Sequence, residues 1–336
     1  MNIIMAILAF GVLIIVHELG HFTLAKLNGV RVEEFSIGMG PRIFSKQGKE
    51  TRYSLSLFPI GGYVKMMGEE ESVEDERSFS AKSPLRRISI IIAGVFMNYV
   101  LAIVIFTVIT HNFGYRSTTL TEVVPASPAQ EAGVLPGDKI LKVNGLTAFS
   151  FENIQAGIAL SYGNSINMTV DRNGEKKEVI VTPRKNEEGQ LLIGVSFPKV
   201  ENPTIGESFV QSFKQTASLV TQTFKGLEMI FTGKANLKTD VGGPITIIKM
   251  SAASAESGMW TLANFVGFLS VNLAVFNLLP FPALDGGWCV ILLIELITRR
   301  KVPDKIVGVL NYIGFAALIG LMILVTMKDI LFPMNF

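Results

Sequence analysis

The sequence predicts a polytopic α-helical membrane protein of about four transmembrane helices, with a membrane-associated β-hairpin and an inserted α+β domain. Three observations carry that prediction. Of 336 residues, 49% are hydrophobic and only 17% charged, giving a mean hydropathy of +0.43. Four stretches are apolar and long enough to cross about 30 Å of hydrocarbon at about 1.5 Å per residue. Between the second and third lies a long polar region with strand and turn signals. The formal net charge of +2 carries no signature of a nucleic-acid partner. Cys289 is the single cysteine, so no intrachain disulfide can form. No residue pattern specifies an oligomeric state.

The four stretches cover about 1–24, 88–110, 262–297 and 306–327. The first lacks a basic leading region and a small-residue cleavage site, so it reads as a retained span rather than a signal peptide. It is uncharged from Ile3 to Val16 and closes on His17-Glu18-Leu19-Gly20-His21. Ionisable side chains at membrane depth cost about 2.5–3.5 kcal/mol each on insertion scales, which makes them functional candidates. Residues four apart share a helix face, so His17 and His21 can present ring nitrogens to one cation with Glu18 beside them. Zinc suits such a set: it takes about four ligands and lowers the pKa of a bound water to about 7. Glu18 would take that water's proton as it attacks a carbonyl. A third protein ligand must come from elsewhere.

The third stretch is too long for one straight crossing, and Pro280 and Pro282 break it. Asp285, in Pro280-Phe281-Pro282-Ala283-Leu284-Asp285-Gly286-Gly287, is the sole acidic residue between Trp260 and Glu295. It can supply the third ligand, or begin the next helical half as a cap without any metal. Irregular backbone at this depth must be buried in protein or line a watery cavity. Lys26, Arg31, Arg42, Lys46, Arg86 and Arg87 between the first two spans, and Arg299-Arg300-Lys301 after the third, mark those loops as cytoplasmic. Residues 112–260 then fall on the opposite side.

The residues of the three motifs resemble the site-2 intramembrane metalloproteases, and among them the bacterial regulator of sigma-E protease type. The motifs are His17-Glu18-x-x-His21, Gly94-Val95-Phe96-Met97-Asn98, and Asn277-x-x-Pro280-x-Pro282-x-x-Asp285-Gly286. The resemblance implies Zn2+ held by His17, His21 and Asp285, catalysis by Glu18, and contact with substrate by Asn98 and Asn277. Interhelical hydrogen bonding is the other role open to those two asparagines. The resemblance also implies an inner-membrane protein with its active site toward the cytoplasm, whose partners are membrane lipid and single-span membrane proteins trimmed by an earlier protease, such as anti-sigma factors, or signal peptide remnants.

Four segments follow: 1–111 with the first two spans, 112–200 as the inserted domain, 201–260 as a linker, and 261–336 with the last two spans. Arg52–Met66 alternates around a Pro59-Ile60-Gly61-Gly62 turn, predicting a hairpin. The family places such an element beside the zinc, which makes Gly61, Gly62 and Tyr63 candidates for backbone contact with an extended substrate. The acidic cluster from Glu69 to Glu76 reads as a solvated loop. Ser127 to Gly145 resembles the helix, turn and strand of a PDZ domain, with a hairpin around Asn173-Gly174. The stretch 209–231 reads as an amphipathic helix on the outer leaflet, and Gly242-Gly243-Pro244-Ile245 as a tight turn. Two competing functions are a noncatalytic membrane adaptor that binds partners through the PDZ domain, and a metalloprotease clipping soluble peptides at the membrane surface.

Overall fold

The computed structural model describes residues 2–69, 73–187 and 189–333, so part of the acidic cluster, 70–72, lies outside the described residues. The chain begins with α1 (Asn2–Leu27), β1 (Val32–Gln47), β2 (Arg52–Met66) and α2 (Pro84–Phe113). Next come β3 (Tyr115–Arg116), β4 (Glu122–Val123), α3 (Pro128–Glu131), β5 (Lys139–Val143), β6 (Leu146–Thr147), α4 (Phe151–Ala159), β7 (Ile166–Arg172) and β8 (Glu175–Val181). Four short strands follow, β9 (Arg184–Lys185), β10 (Leu191–Leu192), β11 (Val195–Ser196) and β12 (Lys199–Val200). The remaining helices are α5 (Ile205–Phe231), α6 (Pro244–Glu256), α7 (Met259–Asn277), α8 (Asp285–Thr298) and α9 (Asp304–Leu331). Two compact units result, Met1–Ala102 with Asn236–Phe336, and Ile103–Ala235. Of the four segments marked out in the sequence, 112–200 lies in the second unit and 201–260 is divided between the two.

In the first unit, the helices long and apolar enough to cross a membrane include Ala9–Leu27, Met259–Asn277 and Asp304–Leu331, and Pro84–Phe113 is a fourth that begins there. The expected break in the third stretch falls between α7 and α8, around the two prolines. Asp285 is not the cap of α8. Leu284 takes the cap position in extended backbone, and Asp285 is the first helical residue. Arg87, on α2, is buried against Glu295 of α8 at 2.6 Å and lies over the Phe79 ring at 5.0 Å. An arginine that reads in the sequence as a topology signal thus pins one helix to another.

The hairpin expected inside Arg52–Met66 is not formed that way. β2 runs through the Pro/Gly stretch, and its partner is β1, joined to it by the loop at 48–51. Glu34 pairs with both Arg52 and Lys65, and Ile37 with both Leu55 and Gly62, so the two halves of β2 flank the first half of β1. Gly61, at φ +98°, provides the bend that lets β2 do this. Inside this sheet, buried Glu34 accepts from Ser54 Oγ at 2.6 Å and from Arg42 at 2.7 and 2.8 Å. The Gly242–Ile245 turn is the start of α6, with Pro244 in the first turn. The buried Asp329 carboxylate on α9 caps it, accepting from the N–H groups of Gly243 and Thr246 at 3.0 and 2.9 Å.

The second unit is built on a four-stranded antiparallel sheet in the order β6-β5-β7-β8, with Asn173 and Gly174 both at positive φ in the β7–β8 turn. Ile140, Val143, Ile154, Ile166, Met168 and Val170 fill its core. α5 opens on a capping box between Thr204 and Glu207. Its buried face is largely polar, with Ser208, Gln211, Ser212, Thr216 and Ser218 beside Leu219 and Met229, while Phe209, Val210, Phe213, Phe224 and Phe231 are exposed. The polar side makes specific bonds: Ser212 to Thr107, Ser218 to Ser150, and Gln222 Nε2 to Asn153 Oδ1.

Asp138 is buried and accepts from Arg172 at 2.7 and 2.8 Å. The Arg172 hydrogen bonds hold its carboxyl below the ordinary carboxylate range. Arg172→Met strands that carboxylate and is expected to cost about 3 kcal/mol, seen as hydrogen exchange about 10²-fold faster in β5 and β7 of the full chain. Because the folded-state pKa of Asp138 is depressed, the pair stabilises above the unfolded-state pKa. The difference between variant and parent should shrink as pH falls through the depressed value.

Candidate metal centre

Helix α1 supplies His17, Glu18 and His21 from one face because 3.6 residues per turn brings positions four apart together. The two rings meet edge to face, 4.7 Å between centroids, with Nε2 atoms 3.2 Å apart. Asp285 enters from α8: its Oδ2 lies 3.3 Å from His17 Nε2 and 3.6 Å from His21 Nε2. Bonds of about 2.1 Å to a tetrahedral ion require ligand atoms about 3.4 Å apart, so these three separations fit the edges of a zinc coordination tetrahedron. Two nitrogens and a carboxylate oxygen also match zinc's donor preference. Among the described residues the buried Asp285 Oδ2 has no hydrogen-bond partner, which is the state of an oxygen reserved for a cation.

Close approach of α2 completes the wall. A Cβ on Gly94 would lie 2.8 Å from His17 Cε1 and would collide with His21 Nε2, so only glycine fits between the rings and the helix. The carbonyl of Ile90 lies 2.9 Å from His21 Nδ1. A carbonyl oxygen can only accept, so Nδ1 carries the proton and Nε2 the lone pair, the tautomer a metal needs.

A cavity of about 260 Å³ opens at the site, lined by His17, Glu18, His21 and Asp285 with Tyr63, Val64 and Trp288. The second half of β2 forms one side of it. Val64 lines the cavity with Glu18, and Gly62 backs Glu18, a Cβ there coming within 3.4 Å of Glu18 Cγ. Of the hairpin residues singled out in the sequence, Tyr63 lines the cavity, Gly62 adjoins the glutamate, and Gly61 packs on Met39 instead. Asn277, at the end of α7, brings its amide to 3.4 Å from His17 Nε2. Asn98 has no exposed surface and meets the other ring nitrogen of His17, Nδ1, at 3.3 Å.

Sequence reasoning passed over Asn311. Its Oδ1 on α9 accepts from the N–H of Ala283 at 3.2 Å, holding a residue at φ +71° two positions before Asp285. A signal was present, since Asn311 is a polar side chain in an otherwise apolar span. The carbonyl of Ile90 had no side-chain signature.

The model for peptidase family M50 matches residues 5–321. The chain belongs to family M50. A Clostridium perfringens protein named "Putative zinc metalloprotease CPE1693" is 51% identical over 333 residues, 99% of each chain. The zinc metalloprotease RasP of Geobacillus kaustophilus is 31% identical over 416 aligned positions, 98% of this chain and 97% of its own. A protein of Enterococcus faecalis named "Probable protease eep" is 29% identical, with 98% of each chain covered. Membership makes this M50 chain a membrane-bound zinc metalloprotease of the site-2 type, which sets aside the noncatalytic adaptor. The donor set described above fits the metal that these names give.

Proposed function

We propose that this M50 protease cuts within or next to the transmembrane helix of single-span membrane proteins and releases a fragment on the cytoplasmic side. Zinc would be held by His17, His21 and Asp285, supplying a polarised water. Glu18, at the rim of the cavity, accepts the water's proton and delivers it to the leaving amine. Asn277 is near enough to the metal ligands to hold the reacting carbonyl. The observation that carries the reading is location: the HExxH residues belong to a helix long and apolar enough to span a membrane, and Asp285 opens the helix after the proline break.

The β2 strand supports the same reading. Carbonyls of a helical substrate are engaged in their own ladder, so the segment must unwind before water can attack. A strand beside Glu18 can hold the unwound segment by backbone hydrogen bonds, with Gly62 and Tyr63 nearest the chemistry and Gly61 supplying the bend. The sheet core and turn of the second unit support a PDZ-type docking or size-filtering module. The apolar outward face of α5 suits contact with lipid, its polar side being taken up by hydrogen bonds within the unit. Presenting one sequence as an embedded span and as its soluble flanking peptide tests the proposal. Cleavage of the embedded form alone is expected, and equal cleavage of the soluble peptide would identify a surface peptidase.

A further inference from the structure

Ile90, Gly94 and Asn98 recur every fourth residue on α2, the same period as His17 and His21 on α1, so each histidine has its own partner across Gly94. For His21 that partner is a carbonyl, which permits one tautomer. For His17 it is an amide, which permits two. As oriented in the structure, the Asn98 nitrogen donates to His17 Nδ1 at 3.3 Å, which leaves the ring proton on Nε2, 3.2 Å from His21 Nε2. Asn98 Oδ1 is then buried with no donor among the described residues. That orientation belongs to a metal-free histidine. A ligated His17 presents the Nε2 lone pair and carries its proton on Nδ1, which needs an acceptor. A half-turn of the amide supplies one, because the oxygen and nitrogen of Asn exchange places.

We propose that Asn98 is a positioning residue that orients His17 and follows its tautomer, its oxygen accepting from Nδ1–H when Nε2 binds the metal, rather than a contact for substrate. This rests on the assignment of His17, His21 and Asp285 as ligands. Full burial of Asn98 fits the role, as does the further anchoring of its backbone carbonyl by Ser270 Oγ at 2.8 Å. Outer partners of metal-bound histidines fix ring orientation, and their loss weakens metal binding about 10–100-fold.

The test is zinc affinity, by chelator competition on the purified full chain, for Asn98→Leu and Asn98→Asp beside the parent, with KM measured at saturating zinc. Leucine keeps the volume and loses the acceptor, so affinity should fall about 10–100-fold with KM unchanged. Aspartate keeps the acceptor and should bind zinc at least as tightly as the parent. Cobalt substitution should shift the visible bands of Asn98→Leu and not those of Asn98→Asp. Parental zinc affinity in Asn98→Leu, or a raised KM with zinc unaffected, overturns the proposal. Should the leucine variant not fold, weaker zinc binding by Asn98→Asp overturns it independently. His17→Ala separates the two levels: retained zinc there defeats the ligand assignment, whereas zinc loss there with parental affinity in Asn98→Leu defeats only the role of Asn98.

Discussion

Glu18→Gln is expected to keep zinc at the parental stoichiometry while lowering kcat about 10²–10⁴-fold, the usual contribution of a positioned general base. The amide retains the shape of the carboxylate and its place beside Gly62, so the cavity wall survives. It has no lone pair basic enough to take the proton of the attacking water. The two measurements must therefore separate, with metal analysis unchanged and turnover lost. Turnover within about threefold of the parent would remove Glu18 from the chemistry and require another base among the groups lining the cavity.

The second large effect is Asp285→Ala, which should strip zinc from the purified protein under conditions where the parent stays loaded. Asp285 Oδ2 is one of three donor atoms that lie within 4.8 Å of one another, and two neutral histidines alone leave the ion without a compensating charge. Affinity should fall by more than the roughly 10–100-fold that loss of an outer partner costs. Asp285→Asn sharpens the reading, since an amide oxygen can still reach the ion but brings no charge, and an intermediate affinity is expected. Equal zinc occupancy in the parent and Asp285→Ala would exclude the aspartate from the coordination sphere.

Much of this centre was legible because its signals are local. His17 and His21 are set by helix period, and Asp285 stands out as an acid placed after a pair of prolines in an apolar run. Elements that depend on distant partners were not legible. Arg52–Met66 looked self-sufficient as a hairpin, yet the strand it needs is β1, which lacks the clean alternation of an exposed sheet because Glu34 is buried and neutralised by Arg42. Likewise Asp285 had the composition of a cap, but Leu284 takes that position and Asp285 Oδ2 lies 3.3 and 3.6 Å from the two imidazoles. The polarity of α5 was visible in its sequence. Which face the protein would claim was not, since burying serine and glutamine succeeds only with hydrogen-bond partners contributed from elsewhere in the fold.

The proposed metal ligands come from distant parts of the chain, with the entire second unit inserted between them. On that assignment a nascent chain carries an unfinished centre until residue 285 of 336 has been made, two histidines with no acid to close the set. Proteolytic competence arrives only when α8 has been made and has docked beside α1. With the ligands so placed, order of synthesis alone would keep the enzyme inert until its scaffold is assembled.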